Sequence, residues 1–168
     1  MSERIILGRS IVEDRWTLAV DGAAAIQAGS RVIVPLARWR AERAALLSAA
    51  CAVGALLPNT EDVEAIWPDI RDRPLIALHF PIFSDGRALT QAMLLRNRLG
   101  FRGELRAVGD VVRDLVFWLG RCGFDAIAPR PDQDLGQCRS ALDEIRVVYQ
   151  AAADAQTPAW TRRRASAA

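Results

Sequence analysis

The run Leu75-Ile76-Ala77-Leu78-His79-Phe80, then an amphipathic stretch over 86–99, then Glu104-Leu105-Arg106-Ala107-Val108 and a second amphipathic stretch over 110–121, decides the fold class. Short apolar runs of strand length alternate here with segments of helical period. The same alternation extends outward: Val32-Ile33-Val34-Pro35-Leu36 precedes 37–50, the apolar run 52–57 precedes 59–70, and Phe124-Asp125-Ala126-Ile127-Ala128 precedes 132–149. About five consecutive βα units result, and such units favour a parallel sheet with right-handed crossovers. The expectation is an α/β protein with an open, flavodoxin-like parallel sheet and helices on both faces. A partial βα barrel is the alternative, since a closed eight-stranded barrel normally needs a longer chain.

Outside the repeat, Ile5-Ile6-Leu7-Gly8-Arg9-Ser10-Ile11-Val12 places two apolar runs around a glycine turn and reads as a small N-terminal hairpin. Residues 14–29 lack a sustained period and read as a segment wrapping the surface. After Tyr149 the text becomes Ala-rich and polar, closing on Trp160-Thr161-Arg162-Arg163-Arg164. The expected organisation is a hairpin and wrapping segment over 1–30, a βα-repeat domain over 31–150, and a flexible C-terminal tail over 151–168.

Hydrophobic residues make up 51% of the chain and charged ones 25%, the balance of a globular protein rather than a disordered one. Net charge is only +2, which lacks the broad basic field a nucleic-acid binder needs. All 22 basic side chains are arginine. The absence of lysine removes a Schiff base and a P-loop lysine from any mechanism. Cys51, Cys122 and Cys138 are widely spaced with no Cys-x-x-Cys, so neither a disulfide framework nor a cysteine-rich metal site is indicated. No signal peptide opens the chain, and the longest apolar stretch, 44–58, is short for a membrane span. A reduced cytoplasmic protein is expected.

In open parallel α/β sheets ligands bind beyond the carboxyl ends of the strands. That rule selects Arg38, Trp39 and Arg40 after the first repeat strand, Phe83 to Arg87 after the third, Gly109 and Asp110 with Arg113 and Asp114 after the fourth, and Arg130 after the fifth. Asp85-Gly86-Arg87 should stand at a helix start, where free N–H groups and a guanidinium suit an oxyanion, unless Asp85 merely caps and Gly86 merely relieves the backbone. Glu104 and Arg106 share one face of the fourth strand. A buried Arg106 needs a carboxylate, with Asp110, Asp85 and Glu104 nearest by topology. His79, the only histidine, ends the third strand without a second histidine, a cysteine or a dependable acid partner, and reads as packing or loop chemistry. Cys122 should lie at a helix C-terminus, where the dipole raises a thiol pKa. Of the adjacent Phe117 and Trp118, one should face the core and the other solvent, and an exposed Trp118 would support a partner surface. Neither Gly-x-Gly-x-x-Gly nor Gly-x-x-x-x-Gly-Lys occurs, and no haem or iron–sulfur ligation pattern is present, so no motif nominates NAD, ATP, haem, an iron–sulfur cluster or a metal ion.

The stretch Phe80-Pro81-Ile82-Phe83-Ser84-Asp85-Gly86-Arg87, with Gln91-Ala92 and Leu94-Leu95-Arg96, resembles the domain-of-unknown-function family 934. The resemblance strengthens through Gly100-Phe101-Arg102-Gly103-Glu104-Leu105-Arg106-Ala107-Val108-Gly109-Asp110-Val111, Arg113-Asp114 and Arg121-Cys122-Gly123-Phe124-Asp125-Ala126. It continues more weakly to Ile11-Val12-Glu13-Asp14-Arg15-Trp16 and Val34-Pro35-Leu36-Ala37-Arg38-Trp39. Members of that family carry the label of oxidoreductases involved in sulfite reduction, a label that rests on association with the haem sulfite/nitrite reductase. The resemblance raises the weight of Asp85, Gly86, Arg87, Glu104, Arg106, Gly109, Asp110 and Asp114 but brings no catalytic role to them. It implies an accessory or partner protein of bacterial assimilatory sulfite reduction, itself noncatalytic, with the haem sulfite/nitrite reductase as partner. The alternatives are a small oxidoreductase or other enzyme binding an oxyanionic sulfur or phosphate compound near Arg87 and Arg106, and a sensor or scaffold.

Overall fold

The computed structural model describes residues 3–19, 26–154 and 156–166. Each expected repeat strand is present: β4 (Arg31–Pro35), β5 (Ala52–Leu57), β6 (Leu75–Phe80), β7 (Glu104–Gly109) and β8 (Ala126–Ile127). The hairpin forms β1 (Arg4–Leu7) and β2 (Ser10–Glu13), and β3 (Thr17–Leu18) adds a short parallel strand that the aperiodic text around it does not announce. Residues 20–25 of the expected wrapping segment lie outside the described residues.

Strand order in the single eight-stranded sheet is β2-β1-β8-β7-β6-β5-β4-β3. From β3 to β8 every pair is parallel and consecutive, while β1 joins β8 and β2 antiparallel. The α/β class and parallel sheet stand as expected. Within that class the unbroken order is the partial barrel and not the flavodoxin-like one, because a doubly wound sheet must reverse direction at a switch point.

A corollary of one-way winding is that the helices share one face. Inward and outward side chains alternate along each strand. Val32, Val34, Ala55, Ile76, Leu78 and Leu105 form one core with Trp39, Ile70, Ala92, Val116 and Leu119 of the helices. The opposite face carries a second, smaller cluster around Ile33, Leu75, Ala77, Val108, Ala126 and Trp16, to which no helix contributes. The expectation of helices on both faces gives way to this arrangement.

The sheet's two edges, β2 and β3, are consecutive in the chain and separated only by residues 14–16. Four steps from Glu13 to Thr17 reach at most about 14 Å. Eight strands laid flat at about 4.8 Å spacing would put the edges about 34 Å apart. The sheet is therefore curled so far that its rims nearly meet, and residues 14–16 act as a strap across the gap, with Trp16 buried inside.

The helices are α1 (Leu36–Ser48), α2 (Trp67–Ile70), α3 (Arg87–Met93) running into a π-helical turn at Leu94–Arg98, α4 (Arg113–Arg121), α5 (Leu135–Ala141) and α6 (Ala159–Ser166). The helix expected over 59–70 is cut to one turn: Asp62 accepts the N–H groups of Glu64 and Ala65, closing a local turn, and Pro68 favours a helix start rather than an interior. The helix expected over 132–149 begins under an Asp134 cap that accepts Gln137 N–H at 2.7 Å and ends at Ala141. Ile145, Val147 and Val148 beyond it are β-branched and poor helix formers. Farther on, buried Arg121 donates to Asp154 at 2.6 Å and accepts Ala153 N–H through its carbonyl, tying the chain after α5 back onto α4. Of the adjacent aromatics on α4, Phe117 is buried and Trp118 exposed.

Candidate functional site

Curling leaves space inside the sheet, and the larger opening lies at the C-terminal ends of the parallel strands, a cleft of about 640 Å³. Its walls come from strand ends in turn: Leu18 of β3, Pro35 of β4, Leu56 of β5, His79 of β6, Val108 and Gly109 of β7, Ala128 after β8. Pro35 ends β4, Pro58 follows β5, and Pro129 and Pro131 lie in the loop after β8. Proline fixes φ and carries no N–H, so this rim is stiff and poor in hydrogen-bond donors. Largely apolar walls with a few polar groups at strand C-termini are the usual composition of a ligand site in barrel folds.

Four polar side chains reach this cleft: Arg40, Glu61, His79 and Arg130. Arg130 Nη1 donates to Asp110 at 2.8 Å, and its Nε and Nη2 reach Asp132 at 2.9 and 2.6 Å. Asp110 also accepts the Phe83 N–H at 2.7 Å. That amide, and then the Arg130 guanidinium, hold the Asp110 carboxyl below its ordinary range. Arg130 likewise lowers Asp132, and the two carboxylates raise the already high pKa of Arg130. The charge of Arg130 is thus more than cancelled. Arg40 differs: it approaches Asp69 at 3.5 Å, and Arg43 claims the same carboxylate at 3.1 Å. One carboxylate serves two guanidinium groups, leaving positive charge on this wall. Among the described residues the side chains of His79 and Glu61 have no hydrogen-bond or ion-pair partner.

Gly109 permits the floor of this site. Its φ is +99°, and a Cβ there would stand 2.4 Å from the Phe80 carbonyl oxygen and 2.8 Å from His79 Cδ2. Only a glycine lets the imidazole lie against β7.

The residues nominated from sequence fall in four places. Gly109 lines the cleft, and Asp110 stands behind it on Arg130. Asp85, Gly86 and Arg87 form the expected helix start, the entry to α3, where Arg87 folds back on Asp85, Nη2 to Oδ2 at 2.6 Å, while Asp85 also accepts the Arg87 N–H at 3.2 Å. This guanidinium, first among the causes, draws the Asp85 carboxyl far below the usual carboxylate range. Arg113 and Asp114 begin α4 on the helical side: Arg113 pairs with Glu144, and Asp114 is solvent-exposed.

Glu104 and Arg106 lie inside the curled sheet toward the opposite end, beside a second cavity of about 420 Å³. Arg106 is 1% exposed: its Nη1 lies 2.8 and 2.9 Å from the two carboxylate oxygens of Asp14, while its Nε and Nη2 converge on Glu104 Oε1 at 2.8 and 2.7 Å. Asp110 and Asp85, expected among its partners, sit at the C-terminal strand ends, committed to Arg130 and Arg87. Glu104 is a partner as expected, but the second, Asp14, belongs to the strap, and nothing local in the sequence links it to β7.

Two further expectations concern cysteine and metal chemistry. Burial raises the Cys122 thiol, more than neighbouring Arg121 lowers it, and burial raises Cys138 as well. All three cysteines are free thiols. Among the described residues no group of three or more His, Cys, Asp and Glu side chains is arranged to hold a metal ion, and no helix is long and apolar enough to cross a membrane.

Residues 54–160 match the model of a family described as "Bacterial protein of unknown function (DUF934)". The match contains both stretches that carry the strongest sequence resemblance and the whole run from β6 to α5. No curated protein and no solved structure matches the chain.

Proposed function

The chain belongs to the DUF934 family of bacterial proteins, and from that premise we propose that it is a noncatalytic accessory protein of assimilatory sulfite reduction, acting in the cytoplasm by binding the haem sulfite/nitrite reductase. The observation that carries this reading is the loop after β6. Ile82 and Phe83 are each half exposed, yet their backbone is fixed: Phe83 N–H is held by Asp110, and the Ile82 carbonyl accepts Asp85 N–H at 3.0 Å. Two rigidly presented apolar side chains ringed by polar groups are the anatomy of an interface anchor. Exposed Trp118 on α4 is a second apolar feature of the surface.

Charge pairing also favours a binder over an enzyme that grips an oxyanion with Arg87 and Arg106. Each of those guanidinium groups is already engaged by carboxylates, Arg106 by two of them in the interior. An incoming sulfite or phosphate would have to displace a charged hydrogen-bonded partner, which in the interior costs several kcal/mol, roughly the amount needed to leave a buried charge unpaired.

The test is capture of tagged chain from sulfate-grown cells together with its native neighbours. Enrichment of the haem reductase by wild type and its loss in Phe83→Ser is the expected result. Failure of the reductase to enrich, with sulfite assimilation intact after deletion of the gene, refutes the proposal.

A further inference from the structure

We propose that the cleft at the C-terminal strand ends binds a small organic acid with an apolar body, its anionic group on Arg40 and a hydroxyl or amino donor beside that group on Glu61. This inference does not rest on partnership with the reductase, because Ile82 and Phe83 do not line the cleft.

Shape argues for a small molecule rather than a polypeptide. The space is the end of a curled sheet, enclosed by strand termini on successive sides and stiffened by four prolines, so it offers a socket and not an extended groove. A cavity of about 640 Å³ is in the range that accepts a drug-sized ligand. Rigid walls also reduce the ordering cost of binding.

Charge selects the chemistry. Arg130 is held by two carboxylates and has none of its charge to spare, whereas Arg40 shares with Arg43 the one carboxylate that reaches it among the described residues. A carboxylate, sulfonate or phosphate on the occupant would complete the pairing that Asp69 supplies only in part. Glu61 faces the same space unpaired and repels a bare anion, so the occupant that satisfies both side chains carries a hydrogen-bond donor as well as the acid. His79, on the floor, offers two ring nitrogens for hydrogen bonding. The apolar body would rest on Leu56, Val108 and Ala128.

The probe is 8-anilinonaphthalene-1-sulfonate, an apolar aromatic acid with an N–H donor, titrated against the full chain by fluorescence. The expected result is one saturable site per chain. Arg40→Gln should weaken binding about tenfold, the value of one charge-assisted hydrogen bond. Ala37→Trp, at an exposed α1 position on the rim, should abolish binding, while circular dichroism reports an unchanged fold. Binding of the neutral dye Nile red should survive Arg40→Gln and be lost in Ala37→Trp. Phe83→Ser, the variant that tests reductase capture, should bind the sulfonate as wild type does, so the two proposals can fail separately. Multiple weak sites, undiminished binding in Ala37→Trp, or equal affinity in Arg40→Gln overturns the assignment.

Discussion

Asp14→Ala is expected to be among the most damaging single substitutions of a polar residue in this chain. Asp14 and Arg106 are 3% and 1% exposed at their side chains, so neither can recover solvent when the other is lost. Breaking a buried ion pair costs about 3–5 kcal/mol. Glu104 remains on Arg106 and is partly solvated, which sets the loss near the lower bound, about 3 kcal/mol. Asp14 also accepts the Trp16 N–H at 3.0 Å, a bond worth about 1 kcal/mol. The sum, about 4 kcal/mol, corresponds to a Tm drop of about 8–16 °C for a domain of this length. With an m-value of about 2 kcal/mol/M it moves the urea midpoint down by about 2 M. Tryptophan emission is the natural assay, since Trp16 follows the strap. The double variant Asp14→Ala/Arg106→Met should lose less than the two single losses added, by at least about 1 kcal/mol, because the second change removes the charge the first left stranded. A cost below about 1 kcal/mol for Asp14→Ala, or additive single losses, would falsify the claim that this pair anchors the strap.

Other expectations follow from geometry and charge. Gly109→Ala should cost about 3 kcal/mol or more, from its left-handed φ together with the collision against the Phe80 carbonyl, whereas Gly8→Ala, at φ +58° with open space around it, should cost only about 1 kcal/mol; similar melting temperatures for the two would sink the steric account. The carboxyls of Asp85, Asp110 and Asp132 are all lowered, so any stability they contribute is complete above the ordinary value of about 3.9 and is lost only as pH falls through their depressed values. Carboxyl carbon shifts should therefore show them still ionised at pH 3.9, and half-protonation there would contradict the pairing. Buried Cys138 should resist Ellman's reagent in the native state and react on unfolding, when all three thiols become available; rapid native labelling of Cys138 would show that α5 does not cover it.

What the sequence made legible was whatever is local. The period of apolar runs located all five repeat strands, and Gly8 marked the hairpin turn. Strand order was not legible, because a parallel strand buried on both faces carries no mark of which neighbour it takes. The same limit hid Asp14: it lies 92 residues from Arg106, and closure of the sheet, not any motif, brings them together. At the site, Arg40 and Arg130 were found by the rule of strand ends, and His79 was seen but read as packing. The feature that changes its weight is the cavity around it, which is a property of curvature. Arg87 shows the converse error, since a guanidinium two residues from an aspartate in a turn tends to close on it before it meets a ligand.

The pairing of β1 with β8 also bears on how the chain is made. Ile6 lies opposite Ile127, so the seat of the first strand does not exist until the last repeat strand has been synthesised. At about 5–20 residues per second, the roughly 120 intervening residues take about 6–24 s to appear. Through that interval β1 lacks the strand that flanks it opposite β2. The nascent hairpin must wait for its second neighbour, and any chaperone that holds it does so before the sheet can curl shut.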